Sequence, residues 1–128
     1  MQKQTIAVTQ TVFVTGAAGF IGMHTAMALC AQGIRVIGFD NLNAYYSPAL
    51  KKARLMQLEQ QPLFSFIEGD LQNLPLMQQI FTEHAPNAVV HLAAQAGVRY
   101  SLENPLAYMQ SNLIGFTHVL ECCRQCSL

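Results

Sequence analysis

The sequence predicts an α/β fold: a doubly wound parallel sheet of about four strands, in the order 3-2-1-4, with helices on both faces. Three observations predict it. Short β-branched runs alternate with longer helical ones, as strands do when crossover helices join them in parallel. A glycine-rich turn, Gly16-Ala17-Ala18-Gly19-Phe20-Ile21-Gly22, falls between the first strand and the first helix. Of the 128 residues, 52% are hydrophobic and 11% charged, which suits a single compact domain over residues 1–128. That charge fraction is low for a complete soluble domain and points to surface covered by more protein.

Thr11-Val12-Phe13-Val14-Thr15 reads as the first strand. Phe20 to Gln32 is the first helix, with Gly33 as its stop signal. Ile34 to Phe39 is the second strand and ends at Asp40; residues 41–48 form a loop rich in turn formers. A second helix runs from about Pro48 to Gln60, and Pro62 punctuates before a third strand, Leu63 to Ile67, ending at Gly69-Asp70. A helix over about residues 73–84 puts Leu74, Met77, Ile80 and Phe81 on one face. After the Pro86-Asn87 turn, Ala88 to Leu92 is the fourth strand. A small-residue loop, Ala93 to Val98, leads through Arg99-Tyr100-Ser101 into one long helix from near Pro105 to Cys126. The alternation stops where a fifth strand is due.

The glycine turn has the context of a dinucleotide site. Strand before and helix after aim the helix N-terminus, with its unpaired N–H groups and positive dipole end, at a pyrophosphate. Gly16 supplies unusual backbone angles, Gly19 lets the backbone approach the phosphates, and Gly22 permits close packing of helix on strand. The spacing is Gly-x-x-Gly-x-x-Gly, so the acidic residue ending strand two carries much of the weight. Asp40 lies 18 residues after Gly22, where a carboxylate accepts both adenosine ribose hydroxyls and repels a 2′-phosphate. No Lys or Arg follows until Lys51, which favours NAD over NADP. A carboxylate at Asp70 can accept the adenine amino group, with Leu71 packing on the ring, while Gly-Asp is also a common turn pair. The small residues Ala93, Ala94 and Ala96, after Leu92, leave room for a ligand across the strand ends, although tight packing of loop on sheet would select small residues too.

Seven Lys+Arg balance seven Asp+Glu, so neither a nucleic-acid nor an anionic-membrane partner has electrostatic support. No apolar stretch reaches the length of a membrane span, and no signal-peptide core develops in the first ten residues. A soluble cytoplasmic protein is expected. The cysteines (Cys30, Cys122, Cys123 and Cys126) lack the spacing of a disulfide scaffold. His118, Cys122 and Cys126 fall on one helical stripe, which reads as a packed face, since no fourth metal ligand is evident. No metal is expected.

Val14 through Gly22, Asp40-Asn41-Leu42-Asn43, Gly69-Asp70-Leu71 and His91-Leu92-Ala93-Ala94 resemble the extended short-chain dehydrogenases/reductases. Within that superfamily, Asp40 through Lys51 and Ala93 through Pro105 are similar to nucleotide-sugar epimerases, especially UDP-glucuronate 4-epimerases. The resemblance implies a Rossmann-like NAD domain and a role in nucleotide-sugar metabolism and polysaccharide biosynthesis. It implies oxidation of the sugar at C4 to a 4-keto sugar and re-reduction by bound NADH. It also implies a homodimer formed partly through the last helix. The cofactor contacts it implies are Gly16, Gly19, Phe20, Ile21, Gly22, Asp40, Asn41, Asp70, Leu71, Leu92, Ala93, Ala94 and Ala96.

Arg99, just past strand four, is a candidate for a sugar carboxylate or diphosphate, or equally for holding the local turn. Asn112 matches an Asn of the superfamily's fourth helix that bonds backbone near the active site. His118 and Cys122-Cys123 depart from the Asn and apolar residues of that helix. The family's proton-transfer motif is Tyr-x-x-x-Lys. Four residues beyond Tyr45, Tyr46, Tyr100 and Tyr108 lie Ala49, Leu50, Asn104 and Asn112, so no catalytic residue is assigned. The family places that motif after strand five and substrate recognition in a further domain. The chain is therefore expected to correspond to the first third to two-fifths of such an enzyme, to bind NAD, and by itself to turn over no sugar. A related nucleotide-sugar decarboxylase or dehydratase, or a non-catalytic NAD-binding module, stays open. An unpaired edge on strand four and an uncovered last helix predict self-association.

Overall fold

The computed structural model describes residues 10–128; all but Gln10 of the stretch read as lacking a signal-peptide core lies outside them. Four strands form a wholly parallel sheet: β1 (Thr11–Thr15), β2 (Arg35–Asp40), β3 (Phe64–Glu68) and β4 (Ala88–His91). Their order is β3-β2-β1-β4, as predicted. Helical crossovers carry the chain outward from β1 to β3, and the return to β4 lands on the other side of β1.

Side-chain alternation sorts the two faces. Val12, Val14 and Val36 face α1 (Phe20–Ala31) and α2 (Pro48–Leu58), meeting Met23, Ala26, Cys30, Leu55 and Leu58. Phe13, Ile37 and Phe39 face the opposite layer, where α3 (Leu74–His84) contributes Met77, Ile80 and Phe81. Phe13 meets Phe81 edge-on at 5.2 Å between ring centroids and Phe39 at 5.6 Å. Each such pair adds about 0.5–1.5 kcal/mol beyond the area it buries.

The helix starts differ in a way that matters for the site. Ser47 Oγ accepts from Leu50 N–H and Asn73 Oδ1 from Leu76 N–H, each with a proline in the first turn. At α1 the cap position is Gly19, and no side chain satisfies the first amides. Those donors are left for something else.

The long helix expected from Pro105 to Cys126 is broken into pieces. Two short helices, α4 (Tyr100–Glu103) and α5 (Pro105–Tyr108), precede a π-helical stretch, Met109–Gly115, and then α6 (Phe116–Gln125). Asn112 in the wide stretch clamps the chain after β4: Gln95 N–H donates to its Oδ1 at 2.8 Å, and its Nδ2 donates to the Gln95 carbonyl at 3.1 Å. α6 meanwhile seats Val119 and Cys122 in the second core layer. An extra residue per turn lets one helix serve both partners. Elsewhere the boundaries differ from the expectation by one or two residues: β2 begins at Arg35, α2 ends at Leu58, and β4 ends at His91, leaving Leu92 in the loop.

The cysteine stripe resolves into three separate environments. Cys122 is core, Cys126 is exposed, and His118 is taken up by a backbone carbonyl. Burial pushes the thiols of Cys30 and Cys123 up, and that of Cys122 to about 11, so they stay protonated and poorly nucleophilic. Among the described residues, no three His, Cys, Asp or Glu side chains come together to hold a metal.

Candidate functional site

Strand order reverses between β1 and β4, so the loops that follow them part and leave a crevice at the carboxyl ends of the strands. A cleft of about 520 Å³ lies there. Every residue named above as a cofactor contact, from Gly16 to Ala96, lines it. Arg99 does not; it is exposed and stands at the start of α4, where its carbonyl accepts from Leu102 N–H.

The glycine turn forms one wall. Gly16 has φ +69°, and a Cβ there would stand 2.8 Å from the Ala93 nitrogen, so the turn and the chain after β4 touch backbone to backbone. A Cβ on Gly22 would lie 1.9 Å from the Gly16 carbonyl oxygen. The close approach at Gly22 is therefore to the turn itself, not to the strand as the sequence suggested. Together they hold the uncapped end of α1 open to the cleft.

Asp40 is only 6% exposed, and its carboxylate is partly engaged. Oδ2 accepts from Ala18 N–H at 3.1 Å and Oδ1 from Leu42 N–H at 2.8 Å. The Lys51 ammonium, itself in a residue 7% exposed, stands 3.5 Å from Oδ1. Arg54 donates to the Ala18 carbonyl at 3.2 Å, so the first turns of α2 bring two cations to this end of the cleft. Sequence reading noted Lys51 only as a distant base. The available signal was its helical i, i+3 spacing from Arg54, together with the side-chain turns by which Asn41 and Asn43 fold the loop back.

Opposite, Asp70 Oδ1 accepts from Gln72 N–H at 2.8 Å and Oδ2 from Asn41 Nδ2 at 3.3 Å. Each oxygen keeps an acceptor position. Leu71 beside it is buried against the second core layer.

Thr15 sets the floor. Its fully buried hydroxyl accepts from Leu92 N–H at 3.0 Å and Ala93 N–H at 3.1 Å. With both lone pairs taken, its proton goes to His91 Nδ1 at 2.7 Å, so that imidazole is neutral with its own proton on Nε2. His91 also stacks on Phe116, ring centroids 5.4 Å apart, and burial lowers its pKa from the ordinary 6.5. The unfolded chain thus binds a proton more readily at His91 than the folded one does. The stabilisation is complete above about pH 6.5 and is lost as pH falls through the lower folded value. We expect the urea midpoint to fall more steeply between about pH 7 and pH 5 in the parent than in His91→Asn, whose Oδ1 can still accept the Thr15 proton. Equal slopes would refute this role.

Residues 13–128 match the family model described as GDP-mannose 4,6 dehydratase. The chain belongs to that family. It is 50% identical over 114 residues to UDP-glucuronate 4-epimerase 4 of Arabidopsis thaliana, covering 89% of this chain and 26% of that one. It is 48% identical over 113 residues to protein CapI of Staphylococcus aureus, covering 88% and 34%. Among solved structures it resembles UDP-glucuronic acid 4-epimerase from Bacillus cereus in complex with UDP-glucuronic acid and NAD. There the TM-score is 0.80 at 33% identity, over 89% of this chain and 36% of that one. UDP-glucose 4-epimerase from Brucella ovis in complex with NAD gives 0.75 at 34% identity, over 92% and 33%. The chain spans about a quarter to a third of the length of these relatives.

The tyrosines of this family member form a connected cluster that reaches the cleft through Tyr45 and Tyr46. Tyr45 packs on Tyr46 at 4.8 Å and on Tyr100 at 5.0 Å between centroids, and Tyr100 approaches Tyr108. The Tyr108 hydroxyl donates to the Ala96 carbonyl at 2.8 Å and also approaches that of Gly97. Lost solvation and its tyrosine neighbours raise its pKa, the reverse of what a proton-abstracting tyrosinate needs. Tyr45, Tyr46, Leu50, Gln95 and Ser111 line the cleft without having been singled out as cofactor contacts in the sequence. They come from loops and helices far apart in the chain.

Proposed function

We propose that this chain is the NAD-binding portion of a nucleotide-sugar epimerase that inverts C4 of UDP-glucuronate. The observation that carries it is the single cleft joining the uncapped N-terminus of α1, Asp40 and the Asp70-Leu71 pair. Its volume of about 520 Å³ suits a cofactor site. The residues fit the group: free amides at α1 for the pyrophosphate, the remaining acceptor position of Asp40 for the ribose, and Asp70 with Leu71 for adenine. Ala93, Ala94 and Ala96 keep the nicotinamide side clear. NAD, when bound there, would supply reversible hydride transfer at the sugar ring. The relatives named for UDP-glucuronate 4-epimerase favour that sugar over others of the class.

With no Tyr-x-x-x-Lys in residues 1–128, these residues tested alone bind cofactor and turn over nothing. Given UDP-glucuronate and NAD, the whole protein is expected to yield the C4 epimer by proton NMR, with no net NADH. Accumulating NADH, or loss of carbon dioxide or water from the sugar, would reject epimerisation. A cytoplasmic homodimer completes the proposal, with neither nucleic acid nor membrane as partner. The net charge is zero, and no helix among the described residues is long and apolar enough to cross a membrane. Exposed Leu102, Leu106, Met109, Leu113 and Leu120 along the C-terminal helices support self-association. Light scattering at high concentration is expected to give twice the chain mass or more; a strict monomer would count against it.

A further inference from the structure

His118 lies on α6, and its position gives it a task. Its Nδ1 lies 2.6 Å from the Leu71 carbonyl oxygen. A carbonyl has no proton to give, so Nδ1 carries the hydrogen and donates. This is the opposite tautomer to His91. Leu71 follows Asp70 directly, and its backbone is otherwise steered by a short turn in which Asn73 N–H bonds the Asp70 carbonyl at 3.0 Å. Gly115, one turn before His118, backs onto the Leu71 side chain from the same helical segment. The C-terminal helix thus grips Leu71 by side chain and carbonyl at once, on the wall that the cleft presents beside Asp70.

We propose that His118 is a positioning residue for the adenine end of the cleft: its Nδ1–H fixes the Leu71 carbonyl and so the placement of Asp70 and Leu71 against the base. This rests on reading the cleft as an NAD site. The geometry of the imidazole supplies a sharp test. In an asparagine the amide nitrogen is bonded to Cγ, as Nδ1 is in histidine; in a glutamine it sits one atom further out, near the place of Nε2. His118→Asn therefore keeps the donor where Leu71 needs it, and His118→Gln moves it away with similar polarity.

In the full chain, His118→Asn is expected to bind NAD+ and AMP as the parent does. His118→Gln is expected to bind both about five- to tenfold more weakly, the effect of one misplaced hydrogen bond. In the parent, the nitrogen spectrum should show His118 protonated at Nδ1. The assignment is overturned if the two variants bind alike, or if Nδ1 is the bare nitrogen. A parent that binds neither NAD+ nor AMP overturns the reading of the cleft itself, and this role with it. A parent that binds both, with His118→Gln unchanged, overturns this role alone.

Discussion

Gly22→Ala is expected to abolish NAD+ binding and to lower stability by about 2–4 kcal/mol. The added methyl would stand 1.9 Å from the Gly16 carbonyl oxygen and 2.7 Å from its carbon, both backbone atoms with no rotamer to escape into. That oxygen already accepts from Gly19 N–H at 3.0 Å. Gly16 cannot retreat either, since it lies against the backbone of Leu92 and Ala93. Relief must come from unwinding the first turn of α1, the part that presents free amides to the cleft. Gly33→Ala is the matched control. Gly33, unlike Gly22, has positive φ (+79°), but a Cβ there meets nothing within 4 Å. It should cost about 1 kcal/mol and leave binding intact. Urea unfolding with parallel titrations checks both, and a Gly22→Ala protein that binds like the parent would contradict the expectation.

Asp40→Ala is the second large effect. It leaves the Lys51 ammonium without its partner in a nearly closed site and removes the acceptor of the Ala18 and Leu42 amides. Stranding a buried charge costs about 3–5 kcal/mol. The 3.5 Å separation of this pair puts the expectation near the lower end, about 3 kcal/mol. Asp40→Ala/Lys51→Met removes the stranded charge and should recover about half of the loss, leaving the two amides uncompensated. Lys51→Met by itself leaves the carboxylate unneutralised, so it should sharpen rejection of the 2′-phosphate of NADP+. A double variant no more stable than Asp40→Ala would show that the ion pair contributes nothing.

The strands, their order and the glycine turn were legible because they rest on local signals: β-branched runs, helix stops and a fixed spacing of small residues. Asp40 was legible for the same reason. Its partner Lys51 was not, because the pairing depends on how the 41–47 loop folds back through its own side-chain turns. The break of the last helix into a π-helical stretch was not legible either. Apolar periodicity there suits an ordinary helix, and the deviation is imposed by Asn112 reaching the backbone of Gln95, 17 residues away. The bonding of His91 and His118 depends on atoms of other elements and leaves no trace in composition or spacing.

Calorimetric titration of the chain with NAD+ and with NADP+ tests the central claim most directly. One site is expected per chain, with NAD+ held at least about tenfold more tightly than NADP+, and the site lost in Gly22→Ala. Absence of NAD+ binding by the folded chain, or tighter binding of NADP+, would contradict the reading of the Gly16 turn and Asp40 as an NAD site.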